Sequence, residues 1–515
     1  MLTREETLER LRAEPALDVL VVGGGINGAG VLRDLALNGV RVLLVDRSDF
    51  CGGASAASSH MVHGGLRYLE NGEFRLVHEA LIERNRLLAN APDFVVPLET
   101  VVPIERLFSG VLNAPMKFLG LRDRPAERGA LVVKIGLMLY DWYARRGNPM
   151  PRHRMYGERE VRSQFPQLGS RVRWAATYFD SLMPLPERLC WHVLRDGLET
   201  NGAGMALNYC SVIGGEQSSV ILKDEESGET LGVQPRMVIN AAGAWIDRVN
   251  ERLGAATKWI GGTKGSHLVV DHLGLVDAVG GREFFFENAD GRIVLICPLG
   301  NRALVGTTDI RIEDADEARC TEEETDYLLG MIGRVFPDID VREEHIVYHF
   351  SGVRPLPVSE AGRTGGISRD HSLPVLEAEA GRSIAVMGMV GGKWTTFRAF
   401  AEQAADEALR RLGRTRAADT QERSIGKGDE VAAGLTAGQY ELSDVLLLQI
   451  CLEERVVHLD DLALRRVPLG MLGALTEARI GRMADAAAGA LGWDAGRKTA
   501  EMARLKGILE EKHGV

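Results

Sequence analysis

The sequence predicts an α/β protein in which one parallel sheet is assembled from three distant segments of the chain. Three observations predict this arrangement. A short apolar run at 17–22 leads into a glycine-rich turn and then a helical pattern. Two further strand-like runs, at 237–239 and 384–387, also lead into small-residue turns followed by helical patterns. Because long insertions separate these junctions, we expect the intervening residues to form a second lobe.

The composition is that of a globular protein with several cores. Of 515 residues, 45% are hydrophobic and 26% are charged, which excludes disorder over most of the length. The net charge of −11 argues against broad nucleic-acid binding. The six cysteines have no CxxC spacing, so neither a zinc site nor a redox dithiol is expected, and no metal is predicted. Glycine is unusually frequent, with 59 glycines in 515 residues against a usual share of about 7%. This excess indicates tight turns or close approach of backbone to a ligand.

The first junction has the spacing of a dinucleotide-binding motif. The strand at 17–22 is followed by Gly23, Gly25 and Gly28 in a GxGxxG pattern, and a second strand ends at Asp46. Gly23 permits a tight turn, Gly25 lets the backbone approach a pyrophosphate, and Gly28 allows close packing of helix on strand. The free N–H groups at the start of the helix would receive the phosphates. Asp46 would accept hydrogen bonds from the adenosine ribose.

The residues after Asp46 bear on which dinucleotide is bound. Residues 51–59 are small and rich in serine, so a long cofactor could lie across the backbone, which favours FAD. A nicotinamide enzyme would usually continue with another helix and a third strand. An ordinary serine-rich loop is the alternative interpretation. Small residues around Gly243 would allow close approach to the diphosphate and ribityl parts of FAD.

The junctions and insertions together predict a domain organisation. The predicted segments are 16–90, 186–250 and 380–412 for a discontinuous FAD-binding domain, 91–185 and 251–379 for a substrate-binding lobe, 413–430 for a linker and 431–515 for a helical domain. The last segment has helical periodicity and no glycine motif. The predicted fold class is therefore α/β, with a Rossmann-like FAD-binding domain, an interleaved α+β substrate-binding lobe and a C-terminal helical domain.

Membrane association depends on one region of the sequence. No run reaches the roughly 18 apolar residues that a membrane-spanning helix needs, and the charged N-terminus lacks an apolar signal segment, so a cytoplasmic location is expected. Residues 130–143 would suit an amphipathic helix in a membrane interface, with Trp142 and Tyr143 at headgroup level. From these residues alone, an ordinary half-buried helix is the favoured interpretation. Residues 107–121 have a similar composition.

Cationic and polar residues cluster in glycine-flanked, turn-like segments. These segments are 63–68, 264–267, 351–355, 369–371 and 392–393. Arginine binds phosphate with a planar fork, and lysine binds it as a point charge. Taken singly, each cation is more commonly a surface charge or part of a structural salt bridge. Together they predict an electropositive pocket for a small anion in a net acidic protein.

At these residues the sequence resembles a known family. The stretch from Ser58 to Glu70, which contains His63-Gly64-Gly65-Leu66-Arg67-Tyr68, is similar to the signature of FAD-dependent, quinone-linked glycerol-3-phosphate dehydrogenases. Further matching blocks lie at 264–270, 306–309, 351–356, 367–371 and 391–396. The blocks are collinear from about residue 16 to 412, and the tail resembles the family's helical C-terminal domain. His60 stands where the family usually has lysine.

The resemblance implies a reaction. sn-Glycerol 3-phosphate would be oxidised to dihydroxyacetone phosphate by hydride transfer from C2 to N5 of FAD, and membrane quinone would reoxidise the flavin. A secondary alcohol needs a proton acceptor and a cation that stabilises the developing alkoxide. The family is peripheral to the cytoplasmic face of the membrane, so an interfacial role for 107–146 becomes the favoured interpretation. A glycerol-3-phosphate oxidase that uses oxygen and a non-catalytic flavin-binding sensor are the alternatives.

The resemblance also assigns substrate residues. Arg354 and Lys393 are expected nearest the reacting end, Arg67 and Arg369 mainly at the phosphate, and Tyr68 beside the substrate. The helical tail could either mediate contacts in a homodimer or brace the two lobes, with bracing slightly favoured.

His267 is predicted to accept the hydroxyl proton because imidazole titrates near working pH. His63 is the second candidate and could instead only support the flavin. The residues expected at the cofactor are Gly23, Gly25, Gly28, Asp46, Ser58, Ser59, His63, Gly64, Gly243, Gly392, Thr395 and Thr396.

Overall fold

The computed structural model describes residues 1–66, 73–107, 129–144, 150–288, 292–359, 370–379, 381–436 and 438–515. Its strands are β1 Ala16–Val22, β2 Val42–Val45, β3 Met61–Val62, β4 Val96–Ile104, β5 Arg154–Tyr156, β6 Trp174–Leu182, β7 Gly204–Leu207, β8 Cys210–Glu216, β9 Ser219–Asp224, β10 Thr230–Asn240, β11 Thr263–Val270, β12 Glu283–Glu287, β13 Ile293–Leu299, β14 Arg302–Gly306, β15 Ile310–Arg311, β16 Ile346–Arg354, β17 Val375–Leu376 and β18 Ala385–Gly388.

The helices of the described residues are α1 Arg4–Ala13, α2 Ile26–Leu37, α3 Phe74–Asn90, α4 Ala130–Ala144, α5 Glu158–Gln164, α6 Pro186–Leu198, α7 Ile246–Arg252, α8 Leu273–Val279, α9 Glu322–Val335, α10 Phe397–Leu412, α11 Glu430–Thr436, α12 Asp444–Glu453, α13 Leu459–Asp461, α14 Glu477–Leu491 and α15 Ala495–His513. The helix predicted over 397–412 has those bounds.

The first sheet is assembled from the three distant segments, as predicted. Its strand order is β17-β18-β10-β1-β2-β7, and every pairing from β18 to β7 is parallel. Successive residues of β1 are buried on opposite faces, with Val19 and Val21 in one core and Leu20 and Val22 in another. Burial on both faces is the expected state of a parallel sheet covered by helices on each side.

One segment predicted as a single strand forms two strands. The apolar pattern at 205–213 predicts a single strand, but the chain forms β7 and β8, which pair with different partners. Tyr209 lies between them with a φ of 51°, a left-handed backbone conformation that ends a strand. β7 therefore stays in the parallel sheet, while β8 pairs antiparallel with β9.

The second sheet has ten strands and is mostly antiparallel. Its order is β15-β11-β14-β13-β12-β4-β6-β3, with β16 paired to β11 and β5 paired to β6. Helices α8 and α9 cover one face through a core that includes Leu275, Leu328 and Ile332. The short strand β3 comes from the chain segment after β2, so this segment crosses from the first sheet to the edge of the second.

The C-terminal helices are joined to the rest of the molecule by buried ion pairs. Arg466 donates to both carboxylate oxygens of Asp49 at 2.5 and 2.8 Å, and Asp49 lies in the loop after β2. Arg188 of α6 pairs with Glu454 at 2.6 Å. Residues 413–430 are fixed along the first sheet's helices, where Arg416 donates to Asp34 at 2.7 Å. The helical region thus braces the loop that follows β2.

Helix α4 is half-buried. Ala130, Val133, Leu137 and Tyr140 face the second sheet. The opposite face is apolar and exposed, and its members are Leu131, Ile135, Met138, Leu139 and Trp142, between 38% and 59% exposed. Among the described helices, none is long and apolar enough to cross a membrane. Most of the segment predicted at 107–121 lies outside the described residues.

Candidate active site

A cleft of about 2140 Å³ lies at the carboxyl ends of the parallel strands and against the second sheet. Its lining includes Gly23 after β1, Asp46 after β2 and Ala241 after β10. From the second sheet it includes His267 and Phe350. Ligands of open α/β sheets bind outside the carboxyl ends of the strands, so this cleft is the expected binding site.

The glycines of the first turn are required by the packing around them. A Cβ on Gly28 would lie 1.9 Å from the Gly23 carbonyl oxygen, and one on Gly23 would lie 2.6 Å from the Ala241 oxygen. Gly23 also has a φ of 110°, a region that favours glycine. Gly25 is the N-cap of α2, so the start of that helix opens into the cleft. This cradle of backbone groups and helix terminus fits the diphosphate of FAD.

Asp46 holds the turn as well as lining the cleft. Its carboxylate accepts the Gly24 N–H at 2.6 Å and the Ser48 N–H at 2.9 Å. The Ile26 N–H at the start of α2 donates to the Ser55 hydroxyl at 3.0 Å. The residues after Asp46 therefore wrap back onto the turn, and Asp46 is in place for a ribose while it fixes the neighbouring backbone.

A strap from the second lobe closes over this end of the cleft. The strap is residues 314–317. Asp316 accepts hydrogen bonds from Arg47 at 2.6 Å, Trp245 at 2.9 Å and Arg248 at 2.5 Å, and Asp314 accepts one from Arg248 at 2.6 Å. Burial raises the pKa of Asp316, but the two arginines outweigh it and lower that pKa to about 2. Asp316 therefore stays ionised at neutral pH and keeps its ion pairs with both arginines.

His267 lies at the other end of the cleft on β11. Its Nε2 is 2.8 Å from the Ser59 hydroxyl, and its ring stacks on Phe350 at 4.8 Å between centroids. A Cβ on Gly306 would lie 2.0 Å from the ring, so glycine at that position makes room for it. Burial, then the charge of Arg354, holds the pKa of His267 well below its usual value. The expectation that this imidazole titrates near working pH is wrong, and the ring is neutral.

Arg354 and Lys393 line the same cleft. Arg354, at the end of β16, donates to Asp309 at 3.2 Å and to the Thr307 hydroxyl at 3.0 Å. A Cβ on Gly265 would lie 2.3 Å from its guanidinium, so the glycine leaves space for that side chain. Lys393 follows two glycines in left-handed conformations and precedes the helical turn at 394–396.

The segment from Ser59 to Gly64 is anchored against the turn that follows Lys393. The His63 N–H donates to the Thr395 hydroxyl at 3.2 Å, and that hydroxyl donates back to the His63 carbonyl at 3.2 Å. The Gly64 N–H donates to Asp180 at 2.9 Å. These bonds bring residues far apart in sequence to one wall of the cleft.

The predicted cofactor residues fall into two groups. Those that line the cleft are Gly23, Gly25, Asp46, Ser58, Ser59, His63, Gly243, Gly392 and Thr395. The other three lie behind the wall of the cleft and are Gly28, Gly64 and Thr396. Gly28 permits close packing of α2 on the turn at Gly23, and Thr396 is fully buried. The predicted substrate residues Arg67, Tyr68 and Arg369 lie outside the described residues.

Two other residues singled out in the sequence, Lys264 and His60, are buried and have structural roles. Lys264 donates to Glu324 at 2.7 Å and to the Arg319 carbonyl at 2.7 Å, so it is committed to an ion pair. Burial raises the pKa of Glu324, but the hydrogen bonds from Lys264 and Thr308 hold it below its usual value. His60 is fully buried, and burial lowers its pKa to about 4. It therefore does not supply the positive charge of the family's lysine.

Sequence reasoning missed three groups of functional interest. Asp309 pairs with Arg354, Asp180 anchors Gly64, and the strap carboxylates bind arginines from the first lobe. These aspartates are ordinary acidic residues in sequence, and their partners come from distant segments of the chain.

Comparisons with known proteins place this geometry in a family. A family model described as FAD dependent oxidoreductase matches residues 18–407. A glycerol-3-phosphate dehydrogenase from Synechocystis sp. is 34% identical over 419 residues, covering 78% of this chain and 71% of that protein. A D-erythritol 1-phosphate dehydrogenase from Brucella abortus is 34% identical over 406 residues, covering 76% of this chain and 73% of that protein.

Solved structures show the same fold. The glycerol-3-phosphate dehydrogenase from Bacillus halodurans complexed with FAD has a TM-score of 0.74 at 21% identity and covers 99% of this chain and 98% of that one. The L-alpha-glycerophosphate oxidase from Mycoplasma pneumoniae with FAD bound has a TM-score of 0.56 at 15% identity, covering 80% and 99%. The chain belongs to the FAD-dependent oxidoreductase family, where it is related to glycerol-3-phosphate dehydrogenases, and FAD is its cofactor.

Proposed function

We propose that this protein oxidises sn-glycerol 3-phosphate to dihydroxyacetone phosphate and passes the electrons to a membrane quinone. The observation that carries the proposal is the convergence of Arg354, Lys393 and the neutral His267 on the cleft that the dinucleotide turn also lines. The names of the relatives support a phosphorylated polyol as the substrate class. Arg354 and Lys393 supply positive charge that complements an anionic substrate.

The residues divide the chemistry among them. The turn at 23–28, Asp46, Gly243 and the turn at 391–395 line the part of the cleft that would hold FAD, which when bound would accept the hydride from C2. Arg354 stabilises negative charge on the substrate oxygen, and Asp309 fixes the direction of its guanidinium. Lys393 lines the same cleft and contributes a second positive charge toward the anionic substrate.

Proton removal falls to the pair formed by Ser59 and His267. The Ser59 hydroxyl is 2.8 Å from Nε2 of His267, so it can pass a proton from the substrate hydroxyl to that nitrogen. Because the pKa of His267 lies well below its usual value, the imidazole is a weak base. The pair therefore offers a neutral acceptor for the hydroxyl proton.

Anaerobic mixing with glycerol 3-phosphate tests the reaction. We expect the yellow FAD-bound protein to bleach, and we expect His267→Gln to slow bleaching on the order of 100-fold with little change in substrate affinity. If only a four-carbon polyol phosphate bleached the protein, that compound and not glycerol 3-phosphate would be the substrate. If neither compound bleached it, the result would favour a flavin-binding sensor. An unchanged rate in His267→Gln would remove that residue from the mechanism.

The exposed apolar face of α4 supports a membrane acceptor. Leu131, Ile135, Met138 and Trp142 recur at helical spacing on the surface, as in helices that lie in a membrane interface. We expect the intact protein to sediment with anionic liposomes and Trp142→Ala to weaken that binding severalfold, with Val445→Ala on the exposed face of α12 as the control. Rapid reoxidation of the bleached protein by oxygen and not by a short-chain quinone would instead identify an oxidase.

A further inference from the structure

We propose that Asp180 is a positioning residue for the substrate turn, which we define as residues 63–66. This inference rests on the proposed function, because the turn leads directly into Arg67 and Tyr68, the residues expected at the substrate. Asp180 lies near the end of β6, where it lines the cleft beside the turn. It holds the turn through a single backbone hydrogen bond, from the Gly64 N–H.

One oxygen of Asp180 collects three hydrogen bonds. Oδ1 accepts the Gly64 N–H at 2.9 Å, the Tyr140 hydroxyl at 2.7 Å and an N–H of Arg84 at 3.0 Å. The side chains of Asp180 and Arg84 are 2% and 0% exposed. An ionised group receives stronger hydrogen bonds than a neutral one, and burial removes the competition from water. The direction of the Gly64 N–H is therefore set by a rigid acceptor.

Steric contacts restrict the turn in the same place. A Cβ on Gly64 would lie 2.2 Å from the Tyr140 hydroxyl and 2.4 Å from Leu81. The backbone at Gly64 thus rests directly on α3 and α4. Thr395 holds the preceding residue, His63, through two hydrogen bonds of 3.2 Å. The turn is fixed on one side by Asp180 and on the other by the segment that carries Lys393.

The buried ion pair has a use beyond stability. Replacing a fully buried ion pair by well-packed apolar side chains is often neutral or stabilising, so the pair between Arg84 and Asp180 is weak evidence of a stability role. Its distinctive effect here is to hold an acceptor at Gly64. A displacement of about 1 Å in a substrate-positioning group can cost about 100-fold in rate, so the geometry of this turn matters to the reaction.

Two substitutions separate positioning from folding. Asp180→Ala removes the acceptor, whereas Asp180→Asn keeps a carbonyl oxygen that can still accept the Gly64 N–H. We expect Asp180→Ala to raise KM for glycerol 3-phosphate about tenfold and Asp180→Asn to recover most of that loss. FAD affinity, measured by fluorescence titration, should change less than twofold in both. Thr100→Val is the matched control, because it removes a buried 2.6 Å bond to Glu283 in the same sheet without touching the turn.

Amide exchange of the peptide that spans 60–66 gives a readout independent of any substrate. We expect faster exchange in Asp180→Ala and in Tyr140→Phe, and unchanged exchange in Thr100→Val. An unchanged KM and unchanged exchange in a folded Asp180→Ala protein would overturn the proposal, as would equal losses of FAD and substrate affinity. If Asp180→Ala does not fold, Tyr140→Phe decides the question by the same exchange measurement. If the wild-type protein is not reduced by glycerol 3-phosphate, the proposed function fails and exchange alone decides the role of Asp180.

Discussion

The two ends of the cleft are built in different ways. At the dinucleotide end, the turn at 23–28 and Asp46 lie within one short stretch of sequence and act mainly through backbone geometry. At the other end, where we propose the reaction takes place, Ser59, His267 and Arg354 come from distant segments and contribute side chains. A phosphate can be held by backbone N–H groups of adjacent residues, whereas proton transfer needs a side chain whose pKa is set by its surroundings.

Substitution of Arg354 should have the largest effect among the tests of this difference. We expect Arg354→Gln to lower kcat/KM for glycerol 3-phosphate by roughly 100-fold to 1000-fold, because the developing negative charge loses its cationic partner. Steady-state kinetics with an artificial acceptor measure the effect. The FAD content of the purified variant should match the wild type, since the dinucleotide end is untouched. Loss of FAD together with activity would show that the two ends are not independent.

Gly28→Ala tests the opposite end. A Cβ there meets the Gly23 carbonyl at 1.9 Å, so the turn must move and FAD affinity should fall roughly 100-fold. The absorbance ratio of the purified protein at the flavin and protein bands reports the bound cofactor. Gly507→Ala on α15 is the matched control, because no atom lies within 4 Å of the new Cβ. Full FAD content in Gly28→Ala would contradict the steric argument.

The buried histidines predict a pH dependence of stability. His60 has a pKa of about 4 in the folded state, against about 6.5 when unfolded. The unfolded state therefore binds more protons below pH 6.5, and the unfolding free energy should fall by about 2 kcal/mol per such group between pH 7 and pH 5. Urea unfolding at the two pH values measures this change. The unfolding free energy of His60→Gln should fall less between pH 7 and pH 5 than that of the wild type. His78 is exposed, so the unfolding free energy of His78→Gln should fall as much as that of the wild type.

The strap gives the smallest expected effect. Exposed ion pairs contribute about 0 to 1 kcal/mol each, so Asp316→Asn should speed FAD release on the order of threefold at low salt. The difference should shrink at high salt, because the charges are screened. Stopped-flow release into a flavin-binding scavenger measures it, and kcat at saturating FAD should not change. Equal release rates at low salt would mean that the strap does not retain the cofactor.

The predictable part of the fold was the part with local periodicity. The parallel strands at 17–22, 237–239 and 384–387 were visible because strands buried on both faces read as apolar runs that end in glycine turns. The break at Tyr209 was not visible, since tyrosine is a common strand residue and its left-handed conformation is imposed by tertiary contacts.

The candidate site also has one part that the sequence predicted and another part that it left open. Nine of the predicted cofactor residues line the cleft, and the others support its wall. The cationic motif at 264–267 was ambiguous, because one lysine and one histidine in a polar segment do not reveal their partners. Lys264 is committed to Glu324, some 60 residues away in the chain, and His267 is made neutral by burial.

The sequence by itself determined the cofactor class and the glycine turn that lines the cleft, because the motif needs only neighbouring backbone groups and absent Cβ atoms. Tertiary structure alone decided that His267 is neutral, that Lys264 is an ion-pair partner and that Asp180 anchors Gly64. These properties depend on burial and on charges brought together from strands far apart in the chain. Electrostatics of that kind cannot be read from spacing.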